Sequence, residues 1–273
     1  MSIKLIAADM DGTLLDSQKQ LPQGLFPLIR ALRERGIRFA PASGRQYYTL
    51  YDQFGEIADD LIYISENGSM VCDGSKVLTF EAMPTEEVCR AVETVRGLPG
   101  AYAIVSARDG GFYEDEDDPD FLVNIAHYSV RRTLVPDLLE FCRHEPVCKV
   151  ALYCNARAEE VLLPAFRSFE GTSQVALSGA DWVDLMRPGM SKGRAIGALC
   201  DSLHITPDEC MAFGDYLNDL ELLQAVGESY AMANGHEALK ATAKHICPSM
   251  MRTGYAVRSG RYLVLTRRKT MIQ

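Results

Sequence analysis

No stretch of this 273-residue chain approaches the roughly 18 uninterrupted apolar residues that a membrane-spanning helix needs. The opening Met1-Ser2-Ile3-Lys4-Leu5-Ile6-Ala7-Ala8-Asp9 has no apolar segment of signal-peptide length and meets an acidic residue at once, so the expected location is cytoplasmic. Cationic side chains are in deficit: 28 Lys and Arg stand against 37 Asp and Glu, a net charge of −9. A general nucleic-acid or membrane-surface binder would need a basic face, so neither partner is expected. A small phosphorylated substrate is still compatible, because one local pocket can be positive on an acidic protein. The eight cysteines include no C-x-x-C pair and the five histidines no H-x-x-x-H pair, which argues against a zinc or redox centre. Repeats and low-complexity segments are also missing. With 47% hydrophobic and 24% charged residues the composition is that of an ordinary globular protein, one core with a second unit inserted or appended.

What is present is a series of short apolar runs. Ile3–Ala8, Ile37–Ala40 and Leu61–Ile64 read as strands buried on both faces, separated by helical patterns over Leu25–Leu32 and Gln46–Phe54. That alternation predicts a doubly wound, mainly parallel α/β sheet. From Met70 the texture changes: Met70–Leu78 reads as a hairpin turning on Asp73-Gly74, and residues 84–187 mix helices (85–95, 158–169) with separated strands (101–106, 147–153). This middle is expected to be an inserted α+β cap domain, with residues 1–83 and 188–273 forming the core. The run Glu114-Asp115-Glu116-Asp117-Asp118 is expected to be a solvated loop. After Pro188-Gly189 the first texture returns, with a helix that Ser191 can cap, the strand Met211–Phe213, a helix over 216–226 and the strand 230–233.

Polar groups stand just beyond these core strands. Asp9-Met10-Asp11-Gly12-Thr13 follows the first, Ser43-Gly44-Arg45 the second, and Gly214-Asp215-Tyr216-Leu217-Asn218-Asp219 a later one, while Lys192 opens a helix. Ligands of parallel sheets bind in the crevice at the carboxyl ends of strands. Several carboxylates with a serine and a lysine, and no histidine, suit a phosphate held by donors and a hard cation held by oxygens.

Taken in order, these four motifs resemble those of the haloacid dehalogenase-like superfamily. Glu66-Asn67-Gly68 and the long insertion resemble its Cof-type phosphatases with a large α/β cap. The resemblance implies a cytoplasmic, Mg²⁺-dependent hydrolase of phosphate monoesters of small metabolites, sugar phosphates or similar. In that reading Asp9 is the nucleophile and Asp11 the general acid and base. Mg²⁺ is held by Asp9, the backbone carbonyl of Asp11 and Asp215. Ser43, Gly44, Lys192 and Asn218 hold the phosphoryl oxygens. Asp219 either supports the metal shell through water or interacts with a helix dipole as a first-turn acid, and Arg45 faces either the substrate or a carboxylate. The chain departs from the family at Gly254-Tyr255-Ala256-Val257-Arg258, where a Gly-Val-Ala followed by a helix is expected. The alternatives are a hexose phosphomutase, which would convert isomers with little phosphate release, and a phospho-accepting signalling module, which would need no acid or base at Asp11.

Overall fold

The computed structural model describes residues 2–247; the departure at Gly254–Arg258 and the basic tail beyond it lie outside the described residues. Along the chain run β1 (Leu5–Asp9), α1 (Leu25–Glu34), β2 (Arg38–Ala42), α2 (Tyr47–Phe54), β3 (Ile62–Ser65), β4 (Met70–Asp73) and β5 (Lys76–Phe80). Next come α3 (Thr85–Arg96), β6 (Ala101–Ala107), β7 (Gly110–Tyr113), α4 (Pro119–Tyr128), β8 (Arg132–Leu134), α5 (Leu138–His144) and β9 (Val147–Cys154). The remainder is α6 (Leu163–Phe166), β10 (Gln174–Leu177), β11 (Trp182–Met186), α7 (Lys192–Leu203), β12 (Cys210–Gly214), α8 (Leu220–Gln224), β13 (Glu228–Met232), α9 (Glu237–Thr242) and β14 (His245–Cys247). No described helix is long and apolar enough to cross a membrane, and all eight cysteines are free.

Two units emerge, one made of residues 1–43, 60–62 and 191 onward, the other of 44–59 and 63–190. In the first unit β14, β13, β12, β1 and β2 lie side by side, every pair parallel. β1 therefore sits inside the sheet, and its continuous apolar run is explained: Leu5, Ile6, Ala7 and Ala8 are all buried. The chain leaves β1 toward β2 on one side and later returns to β12 on the other, which makes the carboxyl end of β1 a topological switch point. Leu25, Leu28, Ile29 and Leu32 give α1 its single buried stripe.

The second unit holds the antiparallel β4–β5 hairpin and a six-stranded sheet of order β10-β11-β9-β6-β7-β8, mixed but mostly antiparallel. Alternation sorts its two faces. Ala103, Val105, Val150, Leu152, Val183 and Leu185 pack on one side with Val88, Val92 and Val95 of α3. Ile104, Ala151, Tyr153 and Trp182 pack on the other with Phe121 and Ile125 of α4. The fold is thus a parallel α/β core with an inserted α+β unit. The acidic run differs from its solvated expectation at both ends. Glu114 accepts hydrogen bonds from Arg96 and from the Leu138 N–H, while Asp118 caps α4 by accepting from the Phe121 N–H.

Candidate active site

Asp9 ends β1 and is only 6% exposed. The chain then makes a wide turn closed by the Leu15 N–H donating to the Met10 carbonyl at 2.7 Å. Gly12 takes φ of 81° in this turn, and a Cβ there would lie 2.2 Å from Asp215 Oδ2, so glycine is required twice over. The turn sets Thr13 against the same carboxylate, its hydroxyl donating to Asp215 Oδ1 at 2.9 Å, and the Asn234 amide donates to the Gly12 carbonyl at 3.0 Å.

Asp215 follows β12, with its carbonyl accepting from the His236 N–H at 2.7 Å. Asp219, fully buried at the end of a 3₁₀ turn (Leu217–Asp219), folds its side chain back on the same loop. Its Oδ2 accepts from the Asp215 and Tyr216 N–H groups at 3.0 and 3.2 Å. Ser191 caps α7 by accepting from the Arg194 N–H at 3.2 Å, which places Lys192 at the first helical position. The Lys192 ammonium is 1% exposed and lies 2.5 Å from Asp9 Oδ1 and 2.6 Å from Asp219 Oδ1.

Carboxylate oxygens of Asp9, Asp215 and Asp219 approach within 4.8 Å of one another. One lysine cannot neutralise three carboxylates, and the titration behaviour follows. Burial, reinforced by the Asp219 charge, holds the Asp9 carboxyl well above the usual carboxylate range. Burial likewise raises Asp215, with the Thr13 hydrogen bond opposing it. Burial alone would lower Lys192, but Asp219 and Asp9 more than reverse it, so the ammonium stays charged. A largely buried all-oxygen set short of positive charge fits a hard divalent cation of the Mg²⁺ type, which this cluster could hold.

The first unit therefore joins Asp9, Lys192, Asp215 and Asp219 in one network. Asp11 forms an ion pair with Lys19, Ser43 is buried directly after β2, and Asn218 is exposed on the turn that carries Asp219. Gly44 and Arg45 belong to the second unit, where their carbonyls accept from Lys149 and from the Glu66 N–H. Sequence reasoning gave no role to Thr13, Lys19 or Asn234. Asn234 could have been found, since it stands just past another parallel strand; nothing local marks Lys19.

A family model described as haloacid dehalogenase-like hydrolase matches residues 6–256. The 5-amino-6-(5-phospho-D-ribitylamino)uracil phosphatase of Escherichia coli (strain K12) is 31% identical over 257 residues, covering 93% of this chain and 94% of that protein. The HMP-PP phosphatase of Cronobacter sakazakii is 31% identical over 245 residues, covering 89% of each. Among solved structures, a haloacid dehalogenase-like hydrolase from Bacteroides thetaiotaomicron aligns with a TM-score of 0.80 at 25% identity, covering 91% of this chain and 95% of that one.

Proposed function

Because the chain belongs to the haloacid dehalogenase-like hydrolase family and is a Cof-type phosphatase of small phosphorylated metabolites, we propose that it hydrolyses phosphate monoesters, of sugars or similar polyols, through an aspartyl-phosphate on Asp9. The observation that carries this reading is the buried Asp9 carboxylate at the switch point of the sheet, held by Lys192 beside Asp215 and Asp219. The relatives' names support a small metabolite, one of them carrying its phosphate on a ribityl chain.

An oxygen of Asp9 attacks phosphorus as the ester P–O bond breaks, and Asp11 gives its proton to the departing alkoxide. Water then attacks the aspartyl-phosphate, Asp11 takes the water's proton, and the P–O bond to Asp9 breaks, which returns Asp9 as the carboxylate and Asp11 as the acid. Mg²⁺, held by Asp9, the Asp11 carbonyl and Asp215, would supply positive charge against the repulsion between carboxylate and phosphate dianion. Lys192 orients Asp9 and, with Ser43, the Gly44 N–H and Asn218, holds the phosphoryl oxygens. Asp219, whose two oxygens are already engaged, acts through Lys192 and the Asp215–Tyr216 amides. Residues 84–187 serve as the cap that selects substrate, with Arg45 as a further substrate contact.

Asp9→Asn is isosteric but not nucleophilic, so phosphate release from a panel of sugar phosphates should fall to background while circular dichroism stays unchanged. Substantial turnover in a folded Asp9→Asn protein would overturn the mechanism; isomer conversion without release would indicate a mutase.

A further inference from the structure

Within the second unit a lysine is buried away from the site network just described. Lys149 lies on β9, where Val150 and Leu152 face the core against α3, so Lys149 and Ala151 point to the opposite face. Asp184 pairs in register with Ala151 and so shares that face. The ammonium lies 2.5 Å from Glu66 Oε2, donates to the Gly44 carbonyl at 2.9 Å, and is 4.0 Å from Asp184 Oδ2. Burial alone would lower its pKa, but Asp184 and Glu66 raise it above that of a free lysine, so the charge is retained. Glu66 is itself clamped to the same loop, its N–H donating to the Arg45 carbonyl at 3.0 Å. Glu66 and Asn67 both take left-handed backbone, φ 49° and 53°. The Asn67 amide then approaches so closely that a Cβ on Gly44 would meet it at 3.0 Å.

The two peptide units after Gly44 and Arg45 are thus fixed by their carbonyls. Peptide planes are rigid and trans, so seizing the Gly44 carbonyl also aims the Arg45 N–H in the opposite direction.

We propose that Lys149 is a positioning residue for the phosphoryl-transfer reaction, acting through the Gly44 carbonyl to fix the Gly44–Arg45 peptide and so anchor the glycine whose own N–H serves as a phosphoryl donor. This rests on the phosphatase reading above. It assigns Lys149 and Glu66 to the recognition of the phosphoryl group common to every substrate, not to the selection of any one leaving group.

The test compares Lys149→Met with the double variant Lys149→Met/Glu66→Gln, which removes the directly paired carboxylate charge along with the lysine and leaves only the more distant Asp184 carboxylate uncompensated. Circular dichroism must show each variant folded. Both are measured by steady-state hydrolysis of p-nitrophenyl phosphate and several sugar phosphates, with inorganic phosphate as a competitive inhibitor. Displacements near 1 Å can cost ~10²-fold in rate. The expected result is a loss in kcat/KM of at least about tenfold, similar for all esters, with phosphate inhibition weakened in parallel and the double variant no better than the single. Phosphate inhibition and kcat/KM within about twofold of wild type in the folded double variant would overturn the proposal. So would losses confined to some esters with phosphate inhibition intact, which would make Lys149 a leaving-group contact. Failure of the underlying reading looks different: the wild-type enzyme would then show no Asp9-dependent hydrolysis at all.

Discussion

Asp11 and Asp219 both stand in motif positions after core strands, yet their surroundings assign them opposite sensitivities. Asp219 is fully buried, one oxygen on Lys192 and the other accepting from two backbone amides. In Asp219→Asn the new NH₂ must face either an ammonium or two N–H donors, so one buried group is left unsatisfied whichever way it turns. Removing one partner of a buried pair costs ~3–5 kcal/mol, and urea unfolding should show a loss of about 3 kcal/mol. Asp11 is 41% exposed and pairs with Lys19 at 63%, so Asp11→Asn should cost less than about 1 kcal/mol. Its effect is on rate, about 10²–10⁴ with alkyl phosphates whose leaving group needs a proton. With p-nitrophenyl phosphate the first step should be nearly spared, and acid quench should trap phosphoenzyme, since the second step still lacks its base. Equal losses for both kinds of leaving group would remove Asp11 from the acid role.

At the level of elements, the parallel strands and the polar groups beyond them were legible because both are local patterns. A strand buried on two faces reads as an apolar run, and chemistry placed at its carboxyl end follows directly in sequence. Elements of the inserted unit were less legible. The signals for α4 were present, with Asp118 as cap, Pro119 at the first position, and Phe121 and Ile125 one turn apart. They were outweighed by the acidic run before them. β11 contains Asp184, which looks unsuited to a strand buried along its whole length until Lys149 is placed nearby. Such pairings join residues remote in sequence, and no periodicity announces them. Turns were legible where glycine marked them, and Gly12 permits a controlled comparison with Gly36. Both have positive φ, 81° and 76°, but a Cβ at Gly36 would meet nothing within 4 Å. Gly36→Ala should therefore cost ~1–2 kcal/mol from the left-handed backbone alone and leave kcat untouched. Gly12→Ala carries the same backbone cost and also collides with the Asp215 carboxylate, so kcat should fall about 10²-fold or more. Parallel melts and kinetics on the two variants decide it: equal kcat values would deny the Gly12 turn any part in placing Asp215.

On the scale of the whole molecule, two groups of buried charge are kept in separate units. Asp9, Lys192, Asp215 and Asp219 lie entirely within the first, Glu66, Lys149 and Asp184 entirely within the second. The second group is the better balanced, one lysine against two carboxylates, and it carries a direct ion pair and a carbonyl contact on that lysine. The first sets three carboxylates against one lysine and is the one short of cation. A divalent ion that binds only the folded protein stabilises it by RT ln(1 + [L]/Kd), about 2.7 kcal/mol at a hundredfold excess over Kd. Mg²⁺ should therefore raise the melting temperature by several degrees in the wild type, and by much less in Asp215→Asn, without any substrate present. Hydrogen exchange should localise the effect. Added protection is expected at the Asp215 and Tyr216 amides, which are held by Asp219, and in the turn after Asp9, while the amides of β6, β9 and β11 keep their wild-type rates. Ca²⁺ is larger and tolerates looser geometry, so it should protect the same amides while supporting little turnover. Protection spread equally over both units, or a Mg²⁺ shift that survives intact in Asp215→Asn, would place the ion elsewhere and detach the carboxylate cluster from metal binding.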